Sequence, residues 1–345
     1  MKKSAHDSVK GRDLRGKLIT MTSSKPSQLS LFQTFIPDDD RYSNSIELYD
    51  ALPKYQHAKH MAMQRINGTF LPNLEREFNH RGKSYRLTIH PARLTGKSGT
   101  LEYYPSFREE LVEDALRKIA CDQMNGLFLD QQAGVQFTLY ELQHELAERG
   151  HSINYPDLID SLKICNLASL SLEQSGMALI QSPIFPILLL ANKADWLKNP
   201  KETKCYVQFN PLITASITAF SYRQFDYLTY MTYKHRLSRW LHKRLAHNYL
   251  QASMVDPYRI SMTTILRDSG TYLAPRKDNR PREVEVSLKE LQRKQVLMGF
   301  EKEYRRGPRN AVQDIMYSLR PDFHFIQEIK RANTRAKWIT ERAEI

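Results

Sequence analysis

Residues 281–319 read PREVEVSLKELQRKQVLMGFEKEYRRGPRNAVQDIMYSL. The first half, Pro281 to Gln295, has the period of an amphipathic helix, with Val284, Leu288 and Leu291 on one face. The second half predicts two strands, Met298 to Arg305 and Ala311 to Leu319, joined by Arg306-Gly307-Pro308-Arg309-Asn310. Upstream, Ser261 to Asp268 predicts a short helix ending at Gly270. Ser221-Tyr222-Arg223-Gln224 is expected to cap a long helix running to about Ser253. Another helix is expected from Pro321 to about Arg335. Helix, helix, turn, helix and hairpin is the order of a winged helix.

The same order is expected earlier in the chain. Ser106-Phe107-Arg108-Glu109 and Thr138-Leu139-Tyr140-Glu141 both fit the capping-box pattern, in which Ser or Thr and a Glu three residues on satisfy orphan helix N–H groups. The first opens a helix with Leu111, Ala115, Leu116 and Ile119 on one face, and the second a helix that stops at Gly150. Asn154 and Pro156 open a third, with Leu158, Ile159 and Leu162 inward. Ala168 to Glu173 and Met177 to Gln181 are expected strands around the turn Gln174-Ser175-Gly176. The predicted fold class is therefore α+β, two tandem winged-helix domains behind a flexible N-terminal tail. The boundaries are a tail over 1–40, an extension with a β-hairpin over 41–104, winged helices over 105–205 and 206–335, and a C-terminal tail over 336–345. The hairpin spans Phe70 to Leu94 and turns at Asn79-His80-Arg81-Gly82-Lys83.

Charge separates the two copies. The 345 residues carry 51 Lys and Arg against 38 Asp and Glu, a net +13. Residues 101–200 hold 7 basic and 14 acidic side chains, whereas 234–345 hold 24 and 13. A polyanion would be held by the last third and repelled by 101–200. At about 100° per residue, Arg282, Lys289 and Arg293 fall about 140–180° from Val284, with Val286 near 200°. That stripe suits phosphates, guanine edges and a thymine methyl. Arg276, Lys277 and Arg280 precede it, and Arg305, Arg306 and Arg309 stand at the wing tip. These ten residues are the candidate DNA-binding set. In the first copy the outward positions are Asp157, Asp160 and Ile164. Two carboxylates argue against groove insertion, and an outward Ile164 favours protein contact, so this copy is expected to mediate self-association or to position the second.

With 41% hydrophobic residues the chain has enough apolar material for buried cores. The densest apolar run, Ile184 to Ala191, is far short of the roughly 20 residues that span a bilayer. No apolar segment follows the basic start of the chain, so a cytoplasmic protein, nucleoid- or plasmid-associated, is expected. Cys121, Cys165 and Cys205 form neither a disulfide framework nor a zinc pair. Enzyme motifs fail on inspection. Gly96-Lys97-Ser98 has Pro91 where a P-loop needs Gly. His144-Glu145-Leu146-Ala147-Glu148 lacks the second His of a zinc-protease helix, and no His-x-His pair occurs. Tyr227, Tyr230 and Tyr233 have the spacing of core packing rather than of nucleophiles. No enzyme, cofactor or metal is expected.

Arg41-Tyr42-Ser43-Asn44-Ser45-Ile46-Glu47-Leu48-Tyr49-Asp50, Phe220 to Tyr233 and Gly299 to Asn333 resemble the replication initiator (Rep) proteins of theta-replicating plasmids, which carry two tandem winged helices. Gln28-Leu29-Ser30-Leu31-Phe32, in the tail, is similar to the five-residue peptide with which bacterial proteins dock on the replication sliding clamp, and some such initiators carry one. An extended peptide of this kind seats Leu31 and Phe32 in an apolar groove and anchors Gln28. The resemblance implies binding to repeated sites in double-stranded origin DNA, opening of adjacent AT-rich DNA, and recruitment of host initiator and helicase. It also implies that the second winged helix reads bases and the first dimerises. The alternative from the residues is a winged-helix transcriptional repressor, which needs no clamp peptide. A nuclease or relaxase lacks its ligands here, and a clamp-tethered protein holding DNA nonspecifically would show no protected site.

Overall fold

The computed structural model describes residues 39–56, 70–96, 99–121, 125–271 and 280–343. The peptide Gln28–Phe32, and Arg276 and Lys277, lie outside the described residues. Helices and sheets are mixed along the whole chain. First come strand β1 (Tyr42–Ile46) and helix α1 (Glu47–Ala51). A hairpin follows, β2 (Leu74–His80) and β3 (Lys83–His90), turning through Arg81 and Gly82, both at positive φ. Phe78, Tyr85, Leu87 and Ile89 alternate inward while Glu75, Glu77 and Arg86 face out, the period of two that half-buried strands require. A second hairpin, β4 (Ala92–Gly96) and β5 (Gly99–Tyr103), comes next.

The middle of the chain runs α2 (Phe107–Cys121), β6 (Gly126–Leu129), β7 (Gln132–Thr138), α3 (Leu139–Glu148), α4 (Tyr155–Leu167), β8 (Ser169–Gln174) and β9 (Met177–Pro183). Its local signals act as expected, with one difference. Thr138 and Glu141 form the complete reciprocal box, the Thr138 hydroxyl accepting from the Glu141 N–H at 3.0 Å and Glu141 accepting from the Thr138 N–H at 2.6 Å. At Ser106 only the return half is made, because its hydroxyl donates to the Glu109 carboxylate instead. Asn154 caps α4 by accepting from the Asp157 N–H at 2.9 Å.

Then come β10 (Ile187–Leu189), α5 (Lys193–Lys198), β11 (Lys204–Gln208) and α6 (Pro211–Thr218). Here the sequence expectation needs its main correction. Ser221–Gln224 caps no helix: Tyr222–Asp226 is a strand, β12, antiparallel to β1 with Ile46 opposite Tyr222 and Tyr42 opposite Asp226. The strand's partner lies about 180 residues upstream, where no local pattern can reveal it. The expected long helix is instead α7 (Tyr227–Met231), a break at Thr232–Lys234, and α8 (Arg236–Asn248). The Asp226 carboxylate accepts from the Thr229 N–H at 3.0 Å and so starts α7.

The last third is β13 (Tyr258–Ser261), α9 (Met262–Asp268), α10 (Arg280–Arg293), β14 (Leu297–Arg306), β15 (Val312–Pro321) and α11 (Phe323–Ala343), the last running beyond Arg335. Its strands form one sheet in the order β13-β15-β14. The earlier copy distributes its strands differently. There β7 joins a sheet of order β10-β11-β7-β6, and the β8–β9 hairpin extends the first hairpin into a sheet of order β2-β3-β8-β9.

Two further findings concern burial. Ile164, expected outward, is buried against Ala92 and Ala168, with Leu94 and Tyr103 packed around them. The β4–β5 hairpin therefore covers that side of α4, and the apolar contact surface expected for a partner protein is filled by the chain itself. Between α2 and α8 lies a buried ionic network. Asp114 meets Arg117 at 2.6 Å, Lys243 at 2.7 Å and Arg239 at 2.9 Å, and Asp50 meets Arg117 at 2.7 Å. Burial pushes the Asp114 carboxyl up, but Lys243, Arg117 and Arg239 outweigh it and hold the group well below the usual carboxylate range. Removing one partner of such a network strands a buried charge at a cost of about 3–5 kcal/mol. Tyr227, Tyr230 and Tyr233 are buried as core side chains, their hydroxyls bonded to Glu145, Asp114 and His242. All three cysteines are buried. No helix among the described residues is long and apolar enough to cross a membrane.

Candidate nucleic-acid interface

Helix α10 is held from beneath and open above. Val284, Leu288 and Leu291 are fully buried, and α8 crosses under them, where the Ser238 hydroxyl donates to the Ser287 carbonyl at 3.1 Å. Glu290, the one carboxylate of α10 on the buried side, accepts from the Lys234 and His235 N–H groups at 2.8 and 3.1 Å. It thereby satisfies orphan donors at the start of α8 and fixes how the two helices meet. The sequence reading missed this role. Glu290 sits beside Ser287 and Leu291 on the helical wheel, which is the signal that could have exposed it.

Below α10, Ser261 caps α9 through the Thr264 N–H at 3.1 Å, and α9 ends at Gly270 with φ +72°. A Cβ at Gly270 would lie 2.8 Å from the Cβ of Pro53, so both backbone and packing demand glycine there. At its far end α10 stops at Arg293, and Gln295, with a φ of +57°, turns the chain into β14. Val296 N–H then bonds back to the Leu291 carbonyl at 3.0 Å.

On the open side, Arg282, Lys289 and Arg293 are exposed, and Val286 is half-buried among them. Arg280 begins the helix and is half-buried. The hairpin β14–β15 carries the remaining arginines. Arg305, Arg306 and Arg309 are all exposed at or beside its tip. The tip itself folds through Arg309 and Asn310, at φ +57° and +61°, and the Arg306 guanidinium donates to the Asn310 carbonyl at 3.2 Å.

Three carboxylates near this surface are taken up by other cations, whereas the exposed Glu283 forms no ion pair among the described residues. Glu285 meets Lys302 at 2.9 Å, Glu301 meets Arg320 at 2.6 Å, and Glu303 meets Arg259 at 3.2 Å. Exposed pairs of this kind contribute at most about 1 kcal/mol each, so their main effect is on the local field. The Lys302 ammonium is held above its ordinary range by its hydrogen bonds to Glu285 and Tyr304. Arg282, Lys289, Arg293, Arg305, Arg306 and Arg309 form no ion pair among the described residues. Six cations thus face outward on one helix and one hairpin. No group of His, Cys, Asp or Glu among the described residues is arranged to hold a metal ion.

In the first copy, α4 offers a different surface. Asp157 pairs with Arg108 at 3.0 Å, and its backbone N–H is taken by the Asn154 cap. Asp160 lies near Tyr103 of the covering hairpin; burial raises the Tyr103 phenol, and Asp160 adds to the shift.

No protein-family model matches the chain, and no curated protein matches it. Several solved structures are similar at low identity. A structure of domain 2 and domain 3 of RctB aligns at 9% identity and a TM-score of 0.45, covering 80% of this chain and 96% of that one. A second structure of RctB domains 2-3 aligns at 8% and 0.41, over 75% and 95%. The Pi initiator protein in complex with iteron DNA aligns at 11% and 0.42, over 68% of this chain and 98% of that chain.

Proposed function

We propose that residues 236–321 form a winged helix that reads double-stranded DNA, with α10 in the major groove and the β14–β15 hairpin as its wing. One observation carries the reading: among the described residues six exposed cations on α10 and the wing have no carboxylate partner, while nearby Glu285, Glu301 and Glu303 are paired with other cations. Arg282, Lys289 and Arg293 would meet phosphates and base edges, and Arg305, Arg306 and Arg309 would grip the adjacent backbone or minor groove. The earlier copy, covered by β4–β5 and acidic, positions this reader and does not enter a groove itself. Together with the resemblance of residues 41–50, 220–233 and 299–333, this makes the chain a plasmid replication initiator that binds repeated sites in origin DNA. Opening of AT-rich DNA, recruitment of host initiator and helicase, and capture of the sliding clamp through Gln28–Phe32 belong to the same proposal. The protein works by binding and not by catalysis.

The test is a gel shift and footprint on DNA flanking the protein's own gene. Spaced direct repeats are expected. A single palindrome would favour a repressor, and the absence of any protected site would overturn sequence-specific reading. Affinity should fall with salt by about 0.9 logarithmic units per phosphate neutralised for each tenfold rise.

A further inference from the structure

Where α10 ends, the surface opens into a groove of about 420 Å³. Four segments that are distant in sequence line it: Arg41 and Tyr42 at the start of β1, Asp226 and Thr229 where β12 passes into α7, Lys294 to Val296 in the turn leaving α10, and the first turns of α11. Its two carboxylates are already engaged. Asp226 accepts from the Arg41 guanidinium at 2.6 Å and the Thr229 hydroxyl at 2.7 Å. Glu328 accepts from the Asp226 N–H at 3.0 Å and lies 3.1 Å from the His242 ring nitrogen.

What remains for a ligand is donor capacity. The Arg331 guanidinium lies 4.4 Å over the Tyr42 ring, and its closest carboxylate, Asp39, is 4.0 Å away, beyond a hydrogen bond. Its Nε is buried with no hydrogen-bond partner. Lys294 is exposed, follows Arg293 directly, and forms no ion pair among the described residues. A guanidinium held over an aromatic ring, with an ammonium lining the same groove, is a phosphate-binding arrangement. Arg331 lies over the Tyr42 ring and Phe325 is buried, which leaves His324 as the one exposed ring lining the groove among the described residues.

We propose that this groove holds a backbone phosphate of the same duplex whose bases face α10, with Arg331 and Lys294 as its ligands. The assignment rests on the DNA-reading proposal for α10. It extends the contact surface from the reading helix onto the C-terminal helix, so the footprint should reach past the bases α10 covers.

The test uses the full chain with Lys294→Ala and Arg331→Gln, singly and together, on duplexes carrying the protected site with short and long flanks. The double variant is expected to bind the long duplex about 3- to 30-fold more weakly, to lose about one phosphate's worth of salt dependence, and to be indifferent to flank length. Arg331→Lys should restore part of the affinity. If Arg331→Gln lowers the melting temperature, Lys294→Glu, on an exposed side chain, carries the measurement. Unchanged affinity and salt dependence, alongside loss of binding in Arg282→Glu with Arg293→Glu, would overturn the groove while leaving the reading helix intact. Loss of binding in neither set would overturn both. Titration with deoxyadenosine monophosphate separates the two phosphate sources. Saturable nucleotide binding that depends on Arg331, with no flank effect on DNA, would overturn the backbone assignment.

Discussion

Helices α4 and α10 hold the same place in two runs of elements, yet one is covered and the other is open. Both bury one face on a preceding helix, and both are followed by a two-stranded hairpin. On α4 the opposite side is occupied by Ala92 and the rest of β4–β5, with Asp157 tied to Arg108. On α10 that side carries Arg282, Lys289 and Arg293, which none of the described residues covers. The difference teaches that a shared element order fixes how a helix is held from below and leaves its outer surface to be decided elsewhere in the chain.

The sharpest break in that comparison is charge reversal on the open helix. Each arginine reading a base or phosphate contributes about 1–3 kcal/mol. Arg282→Glu with Arg293→Glu should therefore weaken site binding about a hundredfold or more, measured by gel shift, with the melting temperature unchanged. Next in size is the covered helix. Ile164→Ala leaves a cavity under β4–β5 and should cost about 2–4 kcal/mol in urea unfolding. The folded variant should still bind DNA as the wild type does; a loss of affinity would show that α4 contributes to the interface.

The last effect is graded with pH and small for each unit of change. His247, bonded to Ser45 at 2.9 Å, is pushed down to about 3, mainly by burial. The unfolded chain takes up its proton near pH 6.5 and the folded protein does not. Stability from this group is thus complete above about pH 6.5 and declines as pH falls toward 3, by up to about 1.4 kcal/mol per unit. His247→Gln should flatten that part of the stability profile.

These contrasts also mark what could be read from the chain alone. The Val284, Leu288 and Leu291 period, the Thr138 box and the Gly307-Pro308 turn are local, and each lies where its pattern puts it. Tyr222–Asp226 has no such protection, because the polar start of a helix and a strand awaiting a distant partner look alike over five residues. Ile164 fell on the outward arc of its own helix, and only a hairpin some 70 residues upstream brings it inside. Of the candidate site, Arg282, Lys289, Arg293 and the wing arginines were legible, since exposure opposite a clear apolar face is a local property. Lys294 and Arg331 were not, because their common groove is assembled from four separate segments. Arg239 and Lys243 fared the same way. They lie about 160–240° from Leu241 and Leu237 on α8, where a solvated face is the ordinary expectation, and α2 supplies the carboxylates instead.

That last arrangement governs how the elements it joins move. The join between α2 and α8 is a cluster of almost wholly buried full charges, so it has little tolerance for partial opening. A gap of one water layer would weaken every pair at once without yet hydrating any of them well. The elements joined through α2 and α8 should therefore behave as either latched or fully parted, giving the cationic surface of α10 a fixed bearing until the whole cluster lets go.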